Sequence, residues 1–450
     1  MNKNFYISLG VSIPVFFFGY ALENSVLAGW ASVIFGLLFF YFEVFSTRFS
    51  NVDPIGLFSL SMAFTSLANV IGIQSKGTDS ENLYYLYADE RYLFEASAIQ
   101  YFGFICIVGG FLVAKRFHWL PNISYELKSP KLLDRLFILN LVLIWLIYQG
   151  VIPSFVGAIH SFFINIPLFS AFFLARIGAS KKIRKYLYYA IIIVIILTWQ
   201  AVLYSYLRSE MIKPLLFLLL GYFMGGKNLY VLFSWRFVPV YMFIIIFNNY
   251  FAFFGNQRSR IGVGQQRIEA IVSLGQKDLM EARTTGETPI SRSTNFNQLS
   301  QVARLADQKG FYSGATLSYM AYVFIPRFLW PEKPLIQIGA WFATEIELGW
   351  KDEDGRYHNS INMTVPGEFY LNFGFLGVII GSLTFGFVFG LFWNSVNFWG
   401  SDMDVLGNLF GSYLLFLGFF TIGADLQIIV TVTAIYLLFL ISNMFFLRNA

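Results

Sequence analysis

Charged residues are scarce in this 450-residue sequence, where Asp, Glu, Lys and Arg together make up 13%. Soluble globular domains carry about 25%, so the composition excludes an ordinary soluble protein. Hydrophobic residues make up 57% of the chain, and many of them form continuous apolar runs of about 20 residues, the length of a membrane-spanning helix. A transmembrane barrel would show short alternating segments instead. We therefore predict an all-α polytopic membrane protein.

Cysteine and histidine are almost absent. Cys106 is the only cysteine and lies within an apolar run, which excludes an intramolecular disulfide and a thiolate metal cluster. The histidines His118, His160 and His358 are far apart along the chain. We therefore expect no metal and no cofactor. The basic residues are dispersed among the loops, so we expect no nucleic-acid partner.

About twelve apolar spans can be placed, with a long polar insert before the last three. They cover residues 5–22, 26–45, 54–73, 97–114, 132–150, 155–175, 186–207, 211–226, 237–255, 367–393, 404–422 and 426–447. This pattern divides the chain into an N-terminal bundle of about nine spans, a large helical loop and a C-terminal group of spans. The three parts are residues 1–255, 256–366 and 367–450.

Lysine and arginine in the short links predict the orientation, because cytoplasmic loops of membrane proteins carry an excess of them. The basic links 115–135 and 176–185 fall on one side of the membrane, and the acidic link 74–96 falls on the other. Both termini are therefore predicted to be cytoplasmic, and the large loop extracytoplasmic. Within that loop, periodicity predicts helices over 264–283 and 296–309, and an amphipathic helix over 335–349 that lies on the membrane surface.

Three arginines are predicted at one membrane level, at the extracytoplasmic ends of spans. Arg208 lies in a tight turn between two spans, and Arg258 and Arg260 follow the ninth span. Guanidinium groups bind phosphate through two parallel hydrogen bonds, so these residues would surround a lipid diphosphate. The structural alternative is a salt bridge from Arg208 to Glu210, or simple interfacial anchoring. Two arginines of the loop are further candidates for diphosphate or glycan binding: Arg292 and Arg327.

Glu368 and His358 are the candidate catalytic bases. Glu368 follows Pro366 at the predicted start of the tenth span, where the helix dipole favours the ionised carboxylate. The alternative is an ordinary acidic residue in the first helical turn. His358 has a side chain suited to general-base catalysis, but an exposed loop histidine is the alternative. Asn362 and Asn372 are candidate partners for sugar hydroxyls.

The residues around these candidates carry a family resemblance. The segments are Ser205-Tyr-Leu-Arg-Ser-Glu210, Ile325-Pro-Arg-Phe-Leu-Trp-Pro-Glu-Lys-Pro334 and the stretch from Asn362 to Gly377. Together with the single large late loop, they make the chain similar to the bacterial Wzy-type oligosaccharide repeat unit (O-antigen) polymerases. The related O-antigen ligases have the same layout, with a loop histidine that resembles His358, although the Pro-Gly-Glu before the tenth span differs.

The resemblance implies a glycosyltransferase of the bacterial inner (cytoplasmic) membrane that polymerises O-antigen, capsular polysaccharide or exopolysaccharide. Its substrates would be polyprenyl-diphosphate-linked oligosaccharides in the bilayer, and its partners a chain-length regulator and a flippase. A sugar hydroxyl attacks the anomeric carbon and the lipid diphosphate leaves, so the reaction needs fixed positive charge and one base. Arginines in place of a metal ion would supply that charge. The alternatives are an O-antigen ligase and, from another class, a multispan transporter or lipid-glycan flippase.

Overall fold

The fold comes from a computed structural model. It describes residues 3–47, 52–76, 90–126, 131–150, 160–204, 208–226, 295–323, 325, 330, 332–334, 337–352, 357–396, 398, 404–420 and 426–448. The helices before the large loop are α1 (Lys3–Ala21), α2 (Ser25–Thr47), α3 (Pro54–Lys76), α4 (Glu90–Ala114), α5 (Lys131–Tyr148), α6 (His160–Ser180), α7 (Arg184–Tyr204) and α8 (Arg208–Met224). The later elements are α9 (Asn295–Lys309), a 3-10 helix (Ala315–Ala321), α10 (Ile338–Glu345), β1 (Trp350–Lys351), β2 (Tyr357–His358), α11 (Val365–Asn394), α12 (Val405–Phe420) and α13 (Ile428–Arg448).

Seven helices of the described part are long and apolar enough to cross a membrane, as judged by length and composition. These are α1, α2, α3, α4, α6, α7 and α11; α12 and the part Ile428–Met444 of α13 are apolar but shorter. This finding confirms the coarse prediction of a mostly helical membrane protein. The predicted ninth span, 237–255, lies outside the described residues, and the full count of about twelve spans stays a prediction.

Helix α4 lies at the centre of the bundle and packs along α11 more extensively than any other pair of described helices does. Aromatic rings join α4 to its other neighbours. Tyr101 of α4 stacks on Phe16 of α1 at 4.9 Å between ring centroids, and Phe104 meets Phe58 of α3 edge-on at 5.2 Å. These rings belong to one large apolar core that extends to α12 and α13. The structure is therefore built outward from α4.

The segment 117–126 ties together several helices at one end of the bundle. Its Ile123 N–H donates to the carbonyl of Ser395, just after α11, at 2.8 Å. From α13, the Tyr436 hydroxyl donates to the carbonyl of Pro121 at 3.1 Å. The N-terminal part of α1 lies at the same end, since its Asn4 side chain donates to the Glu43 carboxylate of α2, close to where Lys115 pairs with Asp53. The N-terminal part of α1 and the C-terminal part of α13 therefore lie at the same end of the bundle; the predicted cytoplasmic position of both termini stays a prediction.

Two predicted elements of the C-terminal half differ from the structure. The predicted tenth span, 367–393, is not one straight helix, because Gly374 has φ +64° and ψ −154° and breaks α11 into residues 365–373 and 375–394. The predicted surface helix over 335–349 is the shorter α10. Its Phe342 is fully buried against α9 and α11 rather than lying on a membrane surface. The prediction of a helix over 296–309 is confirmed by α9.

Candidate functional site

The chain reverses direction at Gly374, so that residues 365–373 fold back beside residues 375–394. The ring of Phe369 lies against Gly381, and Pro366 lies beside Gly103 of α4, close to the Ser382 hydroxyl. In a straight helix, residues twelve apart are separated by about 18 Å, so these contacts require a hairpin. The short arm of this hairpin, residues 365–373, begins level with Gly103 in the middle of α4.

Helix α9 also packs deep along α4. Leu299 lies against Gly367 at the start of the short arm, and Val302 and Leu305 are buried in the same cluster. At the far end of α4, Arg91 pairs with Asp307 at 3.2 Å, and the Tyr92 hydroxyl donates to the same carboxylate at 2.8 Å. The described part of the large loop therefore shares a core with the bundle and extends from one end of α4 to its middle.

The short arm is capped at both ends by polar groups. At its start, the Thr364 hydroxyl accepts from the N–H of Gly367 at 3.3 Å. At its end, the N–H groups of Tyr312 and Ser313 donate to the carbonyls of Leu371 and Asn372 at 3.0 and 3.1 Å. Such contacts satisfy backbone groups that a helix end leaves unpaired. The position of the arm is therefore fixed by the residues that precede the 3-10 helix.

Asn372 has a structural place in this arrangement. Its side-chain N–H groups donate to the Thr316 hydroxyl at 2.6 Å and to the carbonyl of Glu368 at 2.8 Å. Its side-chain oxygen accepts from the N–H of Gly314 at 2.9 Å. The residue is 1% exposed and does not line the cavity described next. Its amide thus joins the short arm to the 3-10 helix, and these contacts do not support the predicted role in holding sugar hydroxyls.

Glu368 lines a cavity of about 330 Å³ between the short arm, α10 and the start of α13. The side chain is 5% exposed. The other lining residues are mostly amides, hydroxyls and small backbone positions: Tyr319, Gln337, Ile338, Gly339, Ala340, Ser360, Asn362, Met363 and Gln427. A cavity of this size suits a small ligand. Amide and hydroxyl groups both donate and accept hydrogen bonds, so the lining can bind a polyhydroxylated molecule next to a carboxylate.

The wall of the cavity formed by residues 359–364 has strained backbone at both ends. Asn359 has φ +72° and Thr364 has φ +66°, a region that residues with a side chain rarely adopt. The Asn362 side chain stabilises the second bend by accepting from the N–H of Thr364 at 2.8 Å. Strain of this kind costs about 1–3 kcal/mol and is concentrated at functional sites. The two bends hold Ser360 and Asn362 in the cavity wall.

An ion pair joins α9 to α10 outside the lining of the cavity, at what we call its rim. Lys309 of α9 donates to the Glu345 carboxylate of α10 at 2.5 Å, and this hydrogen bond raises the pKa of Lys309 above its usual value. Burial, followed by the charge of Glu345, raises the pKa of Tyr312. Because the pKa of Lys309 is raised by folding, its contribution to the contact between α9 and α10 is fully present at neutral pH and is lost as the pH rises through that raised pKa.

The structure brings together two of the residues predicted from the sequence, Glu368 and Asn362, in one cavity. His358 lies in β2, opposite Trp350 of β1; the position of its side chain is outside what the structure describes. Arg208 is the first residue of α8, and its side chain is likewise not described. The remaining predicted binding residues lie outside the described residues: Arg258, Arg260, Arg292 and Arg327. Glu210 pairs with Lys213 at 2.5 Å, and the alternative of a salt bridge from Arg208 to Glu210 stays untested because the Arg208 side chain lies outside the described residues.

Four polar residues of the cavity were not predicted from the sequence: Tyr319, Gln337, Ser360 and Gln427. Gln427 precedes α13. The sequence distinguishes it only as a polar residue between two apolar helices. Tyr319 belongs to the 3-10 helix, which has no sequence motif of its own. Within the described ranges, no three His, Cys, Asp or Glu side chains lie close enough together to hold a metal ion.

Comparisons with protein-family models, with curated proteins and with solved structures give no match for this chain.

Proposed function

We propose that the protein is a membrane glycosyltransferase that polymerises polyprenyl-diphosphate-linked oligosaccharide repeat units on the extracytoplasmic side of the membrane. The observation that carries this proposal is the Glu368 cavity. It places one buried carboxylate among amide and hydroxyl side chains, which is the combination that binding and deprotonating a sugar hydroxyl requires. The family resemblance of the sequence supplies the substrate class.

In the proposed reaction, a hydroxyl of the acceptor sugar binds in the cavity next to Glu368. Its oxygen attacks the anomeric carbon of the donor chain, and the bond from that carbon to the diphosphate oxygen breaks. The hydroxyl proton passes to the Glu368 carboxylate, and the electron pair of the broken bond leaves with the lipid diphosphate. Positive charge on the leaving group lowers the barrier to this step. Arg208, Arg258, Arg260 and Arg327 are the proposed source of that charge.

The placement of the cavity also supports a lipid-linked substrate. The cavity lies beside the start of the short arm, which is level with the middle of α4, and α4 is itself a candidate membrane span. A soluble sugar nucleotide would require no site at that depth. A substrate anchored by a polyprenyl tail would approach it from within the bilayer.

Replacing Glu368 tests the proposal. Glu368→Gln keeps the size of the side chain but removes the base, so transfer should slow by about 10²–10⁴-fold. The matched control is Glu345→Gln, whose carboxylate pairs with Lys309 on the rim and should change the rate less than about twofold. The measurement is the length of polymer that the purified, reconstituted protein makes from lipid-linked repeat units.

A Glu368→Gln variant that retains its normal melting temperature and its full polymerisation rate would contradict the proposal. Polymer formation that requires a second kind of acceptor, such as a finished lipid core, would favour the ligase alternative. Movement of lipid-linked glycan across the membrane without any new glycosidic bond would favour the flippase.

A further inference from the structure

A second cavity lies far from Glu368, on the outer face of α5. It is an open groove of about 510 Å³. Five of its residues are apolar side chains of α5, one comes from the start of α12, and one is charged: Leu132, Leu136, Ile138, Leu139, Val142, Val405 and Arg135. The charged residue stands near one end of an otherwise apolar groove, so the groove is amphipathic along its length.

The apolar part of the groove is strongly exposed. Ile138 is 60% exposed, Leu139 is 62% exposed and Val142 is 47% exposed. Leu132 and Val142 are ten residues apart on one helix, which corresponds to about 15 Å. The hydrocarbon core of a bilayer is about 30 Å thick, so the groove is as long as one leaflet is deep. Its length therefore matches one acyl chain of one leaflet.

The charge around the groove is positive. Arg135 is exposed and forms no ion pair with any residue that the structure describes. The neighbouring Asp134 forms an ion pair with Lys185 at 2.8 Å. This ion pair brings the start of α7 to the same end of the bundle. The link before α7 adds two exposed lysines there, Lys181 and Lys182. This end of the groove therefore complements an anionic headgroup and disfavours a cationic one.

We infer that the groove is a binding site for an anionic glycerophospholipid. The phosphate lies at Arg135, and one acyl chain lies along Leu136, Leu139 and Val142. The site belongs to the leaflet at the end of the bundle where segment 117–126 ties the helices together, and it does not depend on the function proposed for Glu368.

Native mass spectrometry of the purified full-length protein tests the inference. Phosphatidylglycerol and phosphatidylcholine with identical acyl chains are added at equal concentration, and the bound lipids are counted. We expect phosphatidylglycerol to bind about fivefold more tightly than phosphatidylcholine, because one basic residue near an anionic headgroup increases the affinity by about that factor. Arg135→Gln should reduce the ratio to nearly one. The matched control is Arg184→Gln, an exposed arginine at the same end but outside the groove, and it should keep the ratio.

Leu139→Trp provides a second variant, because its larger side chain fills the groove without changing the charge. It should reduce the bound phosphatidylglycerol while the protein keeps its monodisperse elution. Equal binding of the two lipids to the unmodified protein would overturn the inference. The inference would also be overturned if Arg135→Gln and Arg184→Gln reduced the ratio of bound phosphatidylglycerol to phosphatidylcholine equally. That result would indicate only a diffuse surface potential. A dimer that dissociates when lipid is added would assign the groove to a second copy of the chain.

Discussion

The amide group of Asn372 forms three hydrogen bonds that join the short arm to residues 314–316. Replacing it with alanine removes the hydrogen bonds to Thr316, to Gly314 and to the carbonyl of Glu368, and it leaves buried partners unsatisfied. We therefore expect Asn372→Ala to destabilise the protein by about 1–3 kcal/mol. The loss should appear as a lower melting temperature in detergent micelles.

Gln337→Ala is the matched comparison for Asn372→Ala. Gln337 also carries an amide, but it is exposed, it lines the cavity, and its side chain does not cap α10. This variant should keep its melting temperature and lose polymerisation activity. If Asn372→Ala instead lost activity with an unchanged melting temperature, the role predicted from sequence, binding of sugar hydroxyls, would replace the structural one.

At the residue scale, sequence reasoning selected Glu368 and Asn362 of the cavity but not its four other polar residues. Glu368 stood out because charge is rare in this chain and because it follows Pro366. Asn372 stood out as a polar residue close to Glu368, and nothing in the sequence indicated that the two side chains have different places in the structure. Their side chains are one helical turn apart, yet one lines the cavity and the other bonds the 3-10 helix. That difference depends on the orientation of the short arm, which sequence periodicity does not encode.

At the scale of elements, the hairpin at Gly374 is the feature on which the site depends. A φ of +64° with ψ of −154° is essentially restricted to glycine, and a methyl group there would lie 3.0 Å from the ring of Phe311. We expect Gly374→Ala to destabilise the protein by about 1–3 kcal/mol and to reduce activity by displacing Glu368. Melting temperature and polymer length are the measurements.

The control for Gly374→Ala is Gly10→Ala. Gly10 lies in the interior of α1, and nothing is within 4 Å of its added methyl group. Alanine is the better helix former by about 1 kcal/mol, so this variant should be neutral or slightly more stable. Equal melting temperatures for the two variants would show that the fold does not require a positive φ at residue 374.

The hairpin could not be predicted from the sequence, because residues 365–394 form one continuous apolar stretch. Hydropathy predicts a single span for such a stretch, whether or not the chain reverses within it. Other elements were predicted to within a few residues: 54–73 corresponds to α3, and 296–309 to α9. The start of α4 was placed at 97 rather than Glu90, because Arg91 and Glu95 are charged. Arg91 pairs with both Glu95 and Asp307, and these ion pairs allow the helix to continue.

At the scale of the whole molecule, the contacts separate two ends of the bundle. One end holds the N-terminal part of α1, the segment 117–126 and the C-terminal part of α13. The other end holds the ion pairs of Arg91 and of Lys309, followed by β1. The basic links predict that the first of these ends faces the cytoplasm.

Cysteine labelling distinguishes the two sides. In a Cys106→Ala background, which removes the only native cysteine, Trp350→Cys and Lys181→Cys each place one thiol at an exposed position. A membrane-impermeant maleimide added to intact cells should label Trp350→Cys, and it should label Lys181→Cys only after the membrane is opened. The reverse pattern would place the Glu368 cavity on the cytoplasmic side, where the leaving group would be a soluble nucleotide or a lipid of the inner leaflet. Labelling of both positions in intact cells would mean that the chain crosses the membrane an even number of times between them.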